Sequence, residues 1–84
     1  MKRLKIIKKE GYDYTLEYDG HEYIKNINFY DIDVNIGDYI YLNDDLLNEK
    51  NVFTFGPVKK GVTIEDAIKI VKGDKEIILQ RYYG

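Results

Sequence analysis

Residues 12–27, YDYTLEYDGHEYIKNI, decide the fold because two alternating segments flank a two-residue turn. From 12 to 18, aromatic and aliphatic residues alternate with polar ones, which is the period of a β-strand. Asp19 and Gly20 both tolerate positive φ, so they favour a tight hairpin turn. This turn length predicts the pairs Tyr18 with His21, Leu16 with Tyr23, Tyr14 with Lys25 and Tyr12 with Ile27.

The segments on either side of this hairpin also have the pattern of strands. A first strand is predicted at about 2–9, with Leu4 and Ile6 facing inward. After a connection at 31–37, a turn at Gly37 leads into a strand at 39–42. Further strands are predicted at 52–55, ended by the Gly-Pro pair at 56–57, and at 76–83. The polar loop at 43–51 is predicted to contain a helical turn around 45–47.

One helix is predicted at 64–72. Thr63 is a suitable N-cap, and Asp66 stands three residues later as in an acidic capping box. Gly73 follows the last helical position, as is common at C-termini. The apolar residues recur at i, i+3, i+4 and i+7: Ile64, Ala67, Ile68 and Val71.

These elements predict a mainly β (α+β) fold. Short strands, tight turns and one helix indicate a small, bent antiparallel β-barrel of five to six strands, with the short helix before the last strand. The 84 residues are enough for one such domain, covering 1–84. There is no internal repeat or linker that would divide the chain.

Missing residue types exclude several function classes. The chain has no cysteine and no serine, and His21 is its only histidine. Disulfides and thiolate zinc sites are therefore impossible, and the usual nucleophiles of covalent catalysis are scarce. We expect no enzyme activity, no cofactor and no metal. The apolar part of the basic N-terminus is too short for a signal peptide, and no apolar run could span a membrane, so a cytoplasmic location is expected.

The acidic stretch at 31–45, DIDVNIGDYIYLNDD, has three interpretations. It begins like an EF-hand loop, but the sixth position holds Ile36 and the twelfth holds Leu42, where glycine and a bidentate carboxylate are required. A weak cation site or a catalytic pair of carboxylates are the alternatives. The favoured interpretation is a solvated turn that delivers a strand. The carboxylates concerned are Asp31, Asp33, Asp38, Asp44 and Asp45.

Charge is strongly segregated along the chain. Residues 1–9 carry a net +5, residues 10–49 carry −10 and residues 50–84 carry +3. The basic ends could form a surface for single-stranded nucleic acid, with tyrosines stacking on bases. The candidate residues for that surface are Lys2, Arg3, Lys5, Lys8, Lys9, Lys59, Lys60 and Arg81.

Tyrosine is abundant, with nine residues in the chain. Tyrosine is favoured at protein interfaces as well as in small cores. The acids on the tyrosine-bearing hairpin would repel a phosphate backbone, which favours a protein partner or self-association over nucleic acid. The candidate residues for a protein interface are Tyr30, Tyr39, Tyr41, Tyr82 and Tyr83. The function predicted first is therefore a non-enzymatic protein-binding module, and the alternative is a single-stranded nucleic-acid binder.

Two resemblances accompany this interpretation. The run from YDYTLEYDGHEYIKNI at 12–27 to IGDYIYL at 36–42 resembles the beginning of small oligonucleotide/oligosaccharide-binding barrels. That resemblance implies a barrel with a ligand-binding outer face. It departs from the family pattern in placing the helix before the last strand. The ending KEIILQRYYG at 75–84 is similar to the C-termini of small proteins of low-GC Gram-positive bacteria and implies no activity.

Overall fold

The computed structural model describes residues 1–50, 52–59 and 67–82. Within them the chain forms seven strands and one short helix, so the predicted mainly β class is confirmed, with more strands than the predicted five to six. The elements are β1 (Lys2–Glu10), β2 (Asp13–Tyr18), β3 (His21–Phe29), β4 (Tyr39–Leu42), α1 (Asp44–Asn48), β5 (Phe53–Pro57), β6 (Ile68–Lys72) and β7 (Lys75–Arg81).

The hairpin of β2 and β3 forms as predicted. Asp19 and Gly20 have φ of 50° and 77°, the left-handed conformation that a tight hairpin turn of this kind requires. Tyr12 lies just before β2, but its backbone oxygen accepts a 2.9 Å hydrogen bond from the amide of its predicted partner, Ile27. The Tyr12 side chain is 62% exposed. The confirmed residue pairs are Tyr18 with His21, Leu16 with Tyr23 and Tyr14 with Lys25.

The strands form one sheet that closes in a ring, in the order β1-β2-β3-β5-β7-β6-β4 and back to β1. All pairs are antiparallel except β3 with β5, where Ile27 lies beside Phe53 and Phe29 beside Phe55. The prediction of a wholly antiparallel sheet is wrong at this pair. The physical reason is the connection: β4 and α1 intervene before β5 returns beside β3, which is the long crossover that a parallel pair needs.

The helix predicted at 64–72 is wrong where the structure describes it. Ile68–Lys72 is strand β6, which pairs with β4 on one side and with β7 on the other. Its β-branched residues suit a strand, and a short apolar run fits either period. The proposed cap at Thr63 and Asp66 lies outside the described residues.

The helix that the structure does contain follows β4, at the position where a helical turn was predicted. Asn43 is its N-cap, since the Oδ1 atom accepts a 2.8 Å hydrogen bond from the amide of Leu46. Leu46 and Leu47 are buried and join the core. α1 therefore serves packing, and five residues would not hold a helix without it.

The core fills the inside of the ring. Each strand contributes inward residues, and burying each such side chain contributes roughly 1.5–3 kcal/mol. The fully buried side chains are Leu4, Ile6, Leu16, Ile27, Val34, Ile40, Leu42, Phe53, Phe55, Ile68, Ile70 and Leu79.

Gly56 and Pro57 lie within β5, so the prediction that they end this strand is wrong.

Candidate binding surface

Four adjacent strands, β1, β4, β6 and β7, present a mixed aromatic and basic surface on the outside of the ring. Leu4, Ile40 and Ile70 point into the core, so their neighbours in sequence point outward. Strand register aligns these outward residues in two rows. We call this surface the outer tyrosine face; its rows are Arg3, Tyr41, Lys69 and Ile78, and Lys5, Tyr39, Val71 and Glu76.

Both tyrosines of β4 are held by cations. The Arg3 guanidinium lies 4.0 Å from the ring centroid of Tyr39, and the Lys69 ammonium lies 4.5 Å from that of Tyr41. Lys69 also lies 3.6 Å from a carboxylate oxygen of Glu76. Each cation–π contact contributes about 0.5–1 kcal/mol at an exposed site. The two rings are therefore held in place while remaining partly exposed.

The turn before β4 fixes where these tyrosines emerge. Gly37, at φ of 97°, donates from its amide to the Ile6 oxygen, and the Ile6 amide donates to the Asp38 oxygen. These bonds, at 2.8 and 2.9 Å, attach the turn to β1 beside its bulge. Tyr39 follows immediately. The prediction that the glycine turn delivers a strand is confirmed.

The nucleic-acid candidates differ in their contacts. Arg3 and Lys5 lie on the outer tyrosine face and form no ion pair among the described residues. Lys8 lies 3.2 Å from a carboxylate oxygen of Glu10. Lys9 instead donates to the Val34 oxygen at 3.0 Å and sits 5.6 Å from the ring centroid of Tyr14. Lys60 lies outside the described residues.

Lys2 is also locally neutralised. Its ammonium pairs with the Asp44 carboxylate at the start of α1 and lies 5.6 Å from the ring centroid of Tyr18. The hydrogen bond and the opposite charge raise the pKa of Lys2 and lower that of Asp44. This pair joins the basic N-terminus to the acidic middle of the chain, which leaves less positive charge for a polyanion.

Arg81 is held by contacts with other parts of the protein. Its guanidinium makes two hydrogen bonds of 3.0 and 3.2 Å with the Glu49 carboxylate and lies 4.8 Å from the ring centroid of Phe53. Its side chain is only 11% exposed. Lys25 donates to the Glu49 backbone oxygen at 2.9 Å, and burial lowers the pKa of Lys25. These contacts attach the end of α1 to β3 and β7.

Tyr30 and Tyr82 form an aromatic pair. Their ring centroids are 6.2 Å apart, and the Tyr82 hydroxyl donates to the Pro57 oxygen at 2.6 Å. Lys59 lies 4.6 Å from the Tyr82 ring centroid. The Tyr82 ring covers Gly56 so closely that a Cβ there would stand 2.7 Å from it. Tyr83 lies outside the described residues.

The first part of the acidic stretch, residues 31–38, forms the turns and loop before β4. The Asp38 carboxylate accepts a 2.8 Å hydrogen bond from the Asn35 amide and pairs with Lys72, while Asp33 accepts from the Asn35 side chain. Across residues 1–50, 52–59 and 67–82, no group of three or more His, Asp or Glu side chains is placed to hold a metal ion. The role of these aspartates in turns agrees with the favoured interpretation.

A shallow depression lies on the outside of β1, β2 and β3. It encloses about 110 Å³ and is lined by Lys8, Glu10, Asp13, Thr15 and Ile24. Pockets for small ligands usually measure roughly 300–1,000 Å³. The depression is therefore too small to be a site for an organic cofactor.

In the described part of the chain, no helix is long and apolar enough to cross a membrane.

The sequence missed four members of the outer tyrosine face: Lys69, Val71, Glu76 and Ile78. Lys69 and Val71 were assigned to a helix, although the alternation in IKIVK at 68–72 was a signal for a strand.

A comparison with protein-family models, curated proteins and solved structures finds no match to this chain. The resemblance to oligonucleotide/oligosaccharide-binding barrels stays a prediction. Those barrels usually have a helix between the third and fourth strands, whereas α1 follows the fourth strand.

Proposed function

We propose that this chain is a non-enzymatic binding module that recognises another protein through the outer tyrosine face. The observation that carries the proposal is the pair Tyr39 and Tyr41, side by side on β4 and each beside a cation. Tyrosine and arginine are enriched at protein interfaces and among the residues that dominate binding energy. In this proposal the closed sheet serves as the small β-barrel scaffold of a cytoplasmic protein.

The composition of the face supports this choice. Outward positions of β2 carry Asp13 and Glu17, as expected for a solvated strand. In contrast, the outward positions of β1, β4, β6 and β7 include two tyrosines together with Val71 and Ile78, and Ile78 is 48% exposed. Apolar and aromatic side chains grouped on a solvent-facing sheet are typical of an interaction surface.

The test compares proteins retained from a lysate of the source organism by immobilised variants. The double variant Tyr39→Ser/Tyr41→Ser should lose partners that the parent chain retains, because its two aromatic anchors are gone. Tyr12→Ser is the matched control, since Tyr12 is 62% exposed and lies outside the face. Circular dichroism confirms folding of each variant. An identical set of retained proteins for the parent and the double variant would contradict the proposal.

A second candidate is single-stranded nucleic-acid binding, which the position of Arg3 and Lys5 beside the two tyrosines favours. Such proteins combine cations for phosphates with aromatic rings for bases. The pairing of Lys2, Lys8 and Arg81 with carboxylates weakens it. Amide chemical shifts recorded with a mixed-sequence oligonucleotide at low and moderate salt test it. Shifts on the face that disappear as salt rises would favour nucleic acid, and an absence of shifts at low salt would remove this candidate.

A further inference from the structure

We infer that the partner docks a short, extended segment with carboxylates over Arg3 and Lys5 and apolar side chains over Val71 and Ile78. The inference rests on the proposed function and specifies the chemistry of the partner. It follows from three properties of the outer tyrosine face: where its charge is unpaired, where its surface is apolar, and how wide it is.

The β1 edge of the face carries the unpaired charge. Four of the cations that the structure describes pair with a carboxylate elsewhere on the molecule: Lys2, Lys8, Lys72 and Arg81. Arg3 and Lys5 have no such partner among the described residues. A guanidinium already held over an aromatic ring loses little further freedom when it binds a carboxylate. Complementary charge on the partner therefore belongs at this edge.

The β7 edge has the opposite character. Val71 lies beside Glu76, and Ile78 lies beside Lys69, in the register of β6 and β7. Glu76 partly neutralises Lys69 at 3.6 Å and would repel a carboxylate from the partner. Apolar side chains are favoured here because burying Ile78 and Val71 releases water from apolar surface. The face thus has a direction, acidic-binding at β1 and apolar-binding at β7.

The width of the face limits the length of the segment. Three strand spacings separate β1 from β7, which amounts to about 14 Å at ~4.8 Å each. An extended chain advances ~3.3 Å per residue, so roughly four or five residues cross the face. Tyr41 and Tyr39 lie in the middle, where they contact the centre of the segment. The partner's motif therefore has acidic and apolar positions within about five residues of each other.

The experiment selects binders from a display library of random peptides on the immobilised full chain, with the Tyr39→Ser/Tyr41→Ser variant used to remove binders from elsewhere. We expect enrichment of peptides that carry Asp or Glu near Leu, Ile, Val or Phe. Arg3→Glu and Lys5→Glu should each weaken the best peptide by roughly threefold to tenfold, because reversal replaces attraction with repulsion. Lys50→Glu is the matched control, an equal change on an exposed lysine after α1.

A charge-swapped peptide makes the test specific. Replacing its acidic residues with lysine should abolish binding to the parent chain and restore it to Lys5→Glu. Selected peptides without acidic enrichment, or charge reversals no more harmful than Lys50→Glu, would overturn the inference. If the lysate experiment still depends on Tyr39 and Tyr41, the proposed function survives that result. If oligonucleotide binding instead depends on Arg3 and Lys5, both the inference and the protein-binding proposal fail.

Discussion

Gly56→Ala tests whether Tyr82 is a packing residue or an exposed anchor for a partner. A Cβ at Gly56 would lie 2.7 Å from Cε2, 2.8 Å from Cζ and 2.9 Å from the hydroxyl oxygen of Tyr82. Carbon atoms in favourable contact are ~3.5–4.0 Å apart, so the ring must move. Moving it disturbs the hydroxyl bond to Pro57 and the contacts with Lys59 and Tyr30.

The magnitude follows from three contributions to the free energy of unfolding. Overpacking costs about 1–3 kcal/mol, and the lost hydrogen bond costs about 1 kcal/mol. Alanine in a strand is favoured over glycine by roughly 0.5–1 kcal/mol, which offsets part of this. Because the ring of Tyr82 can swing outward, the full overpacking cost is not reached. We expect Gly56→Ala to destabilise the chain by about 1–2 kcal/mol.

A double-mutant cycle with Tyr82→Ala separates the contact from intrinsic effects. Without the ring, Gly56→Ala should stabilise by about 0.5 kcal/mol, giving a coupling free energy of roughly 2 kcal/mol. Urea denaturation of the four proteins at constant m-value measures it. Gly11→Ala is the control, since Gly11 has a φ of 59° and no atom near its Cβ position, so its cost should not depend on Tyr82. Equal effects of Gly56→Ala in both backgrounds would refute the contact.

Three further predictions concern the core, the helix cap and the ion pair of Lys2 with Asp44. Phe55→Ala should cost about 3–5 kcal/mol in urea unfolding, because Phe55 is fully buried, and a cost near zero would contradict the core assignment. Asn43→Ala should cost about 1 kcal/mol and Asn43→Ser much less, since serine keeps an oxygen for the Leu46 amide. Lys2→Met should raise the pKa of Asp44, followed by carboxyl carbon NMR; an unchanged pKa would mean that the pair does not form in solution.

The sign of the Asp44 effect gives its pH window. The pKa of Asp44 is lowered in the folded chain by Lys2, so the carboxylate form is favoured by folding. Its contribution is present above the unfolded pKa of ~3.9 and is lost as pH falls through the folded value. Lys2 has its pKa raised, so its contribution is present below ~10.4 and is lost as pH rises through the folded value.

The sequence predicts local structure well where one short segment determines it. The hairpin at 12–27 is specified by its alternation and by the positive φ of Asp19 and Gly20, all within a few residues. β6 was harder to predict, because two periods overlap there: Ile64, Ala67, Ile68 and Val71 have the spacing of a helix face, whereas Ile68 and Ile70 have that of a strand face. Its strand state depends on pairing with residues 39–41, about thirty positions earlier.

The candidate site shows the same limit. Arg3, Lys5, Tyr39 and Tyr41 were all predicted, but in two separate sets with different partners. Only the closure of the sheet brings β1 and β4 together and joins the two sets on one face. Periodicity indicates which way a side chain points, whereas the neighbouring strand is set by topology, which no local pattern contains.

Charge pairing finally determines how strongly a polyanion could bind. Folding joins the basic ends to the acidic middle through Lys2 with Asp44, and Arg81 with Glu49. On the outer tyrosine face, Arg3 and Lys5 remain without an ion pair to any described residue. Single-stranded binding has a log–log salt slope of about −0.7 per phosphate neutralised. Two cations therefore predict a slope of about −1.4, whereas the whole predicted basic set would give about −6. Fluorescence anisotropy with an oligonucleotide across a salt series measures the slope, and a value near −6 would show that the ion pairs open on binding.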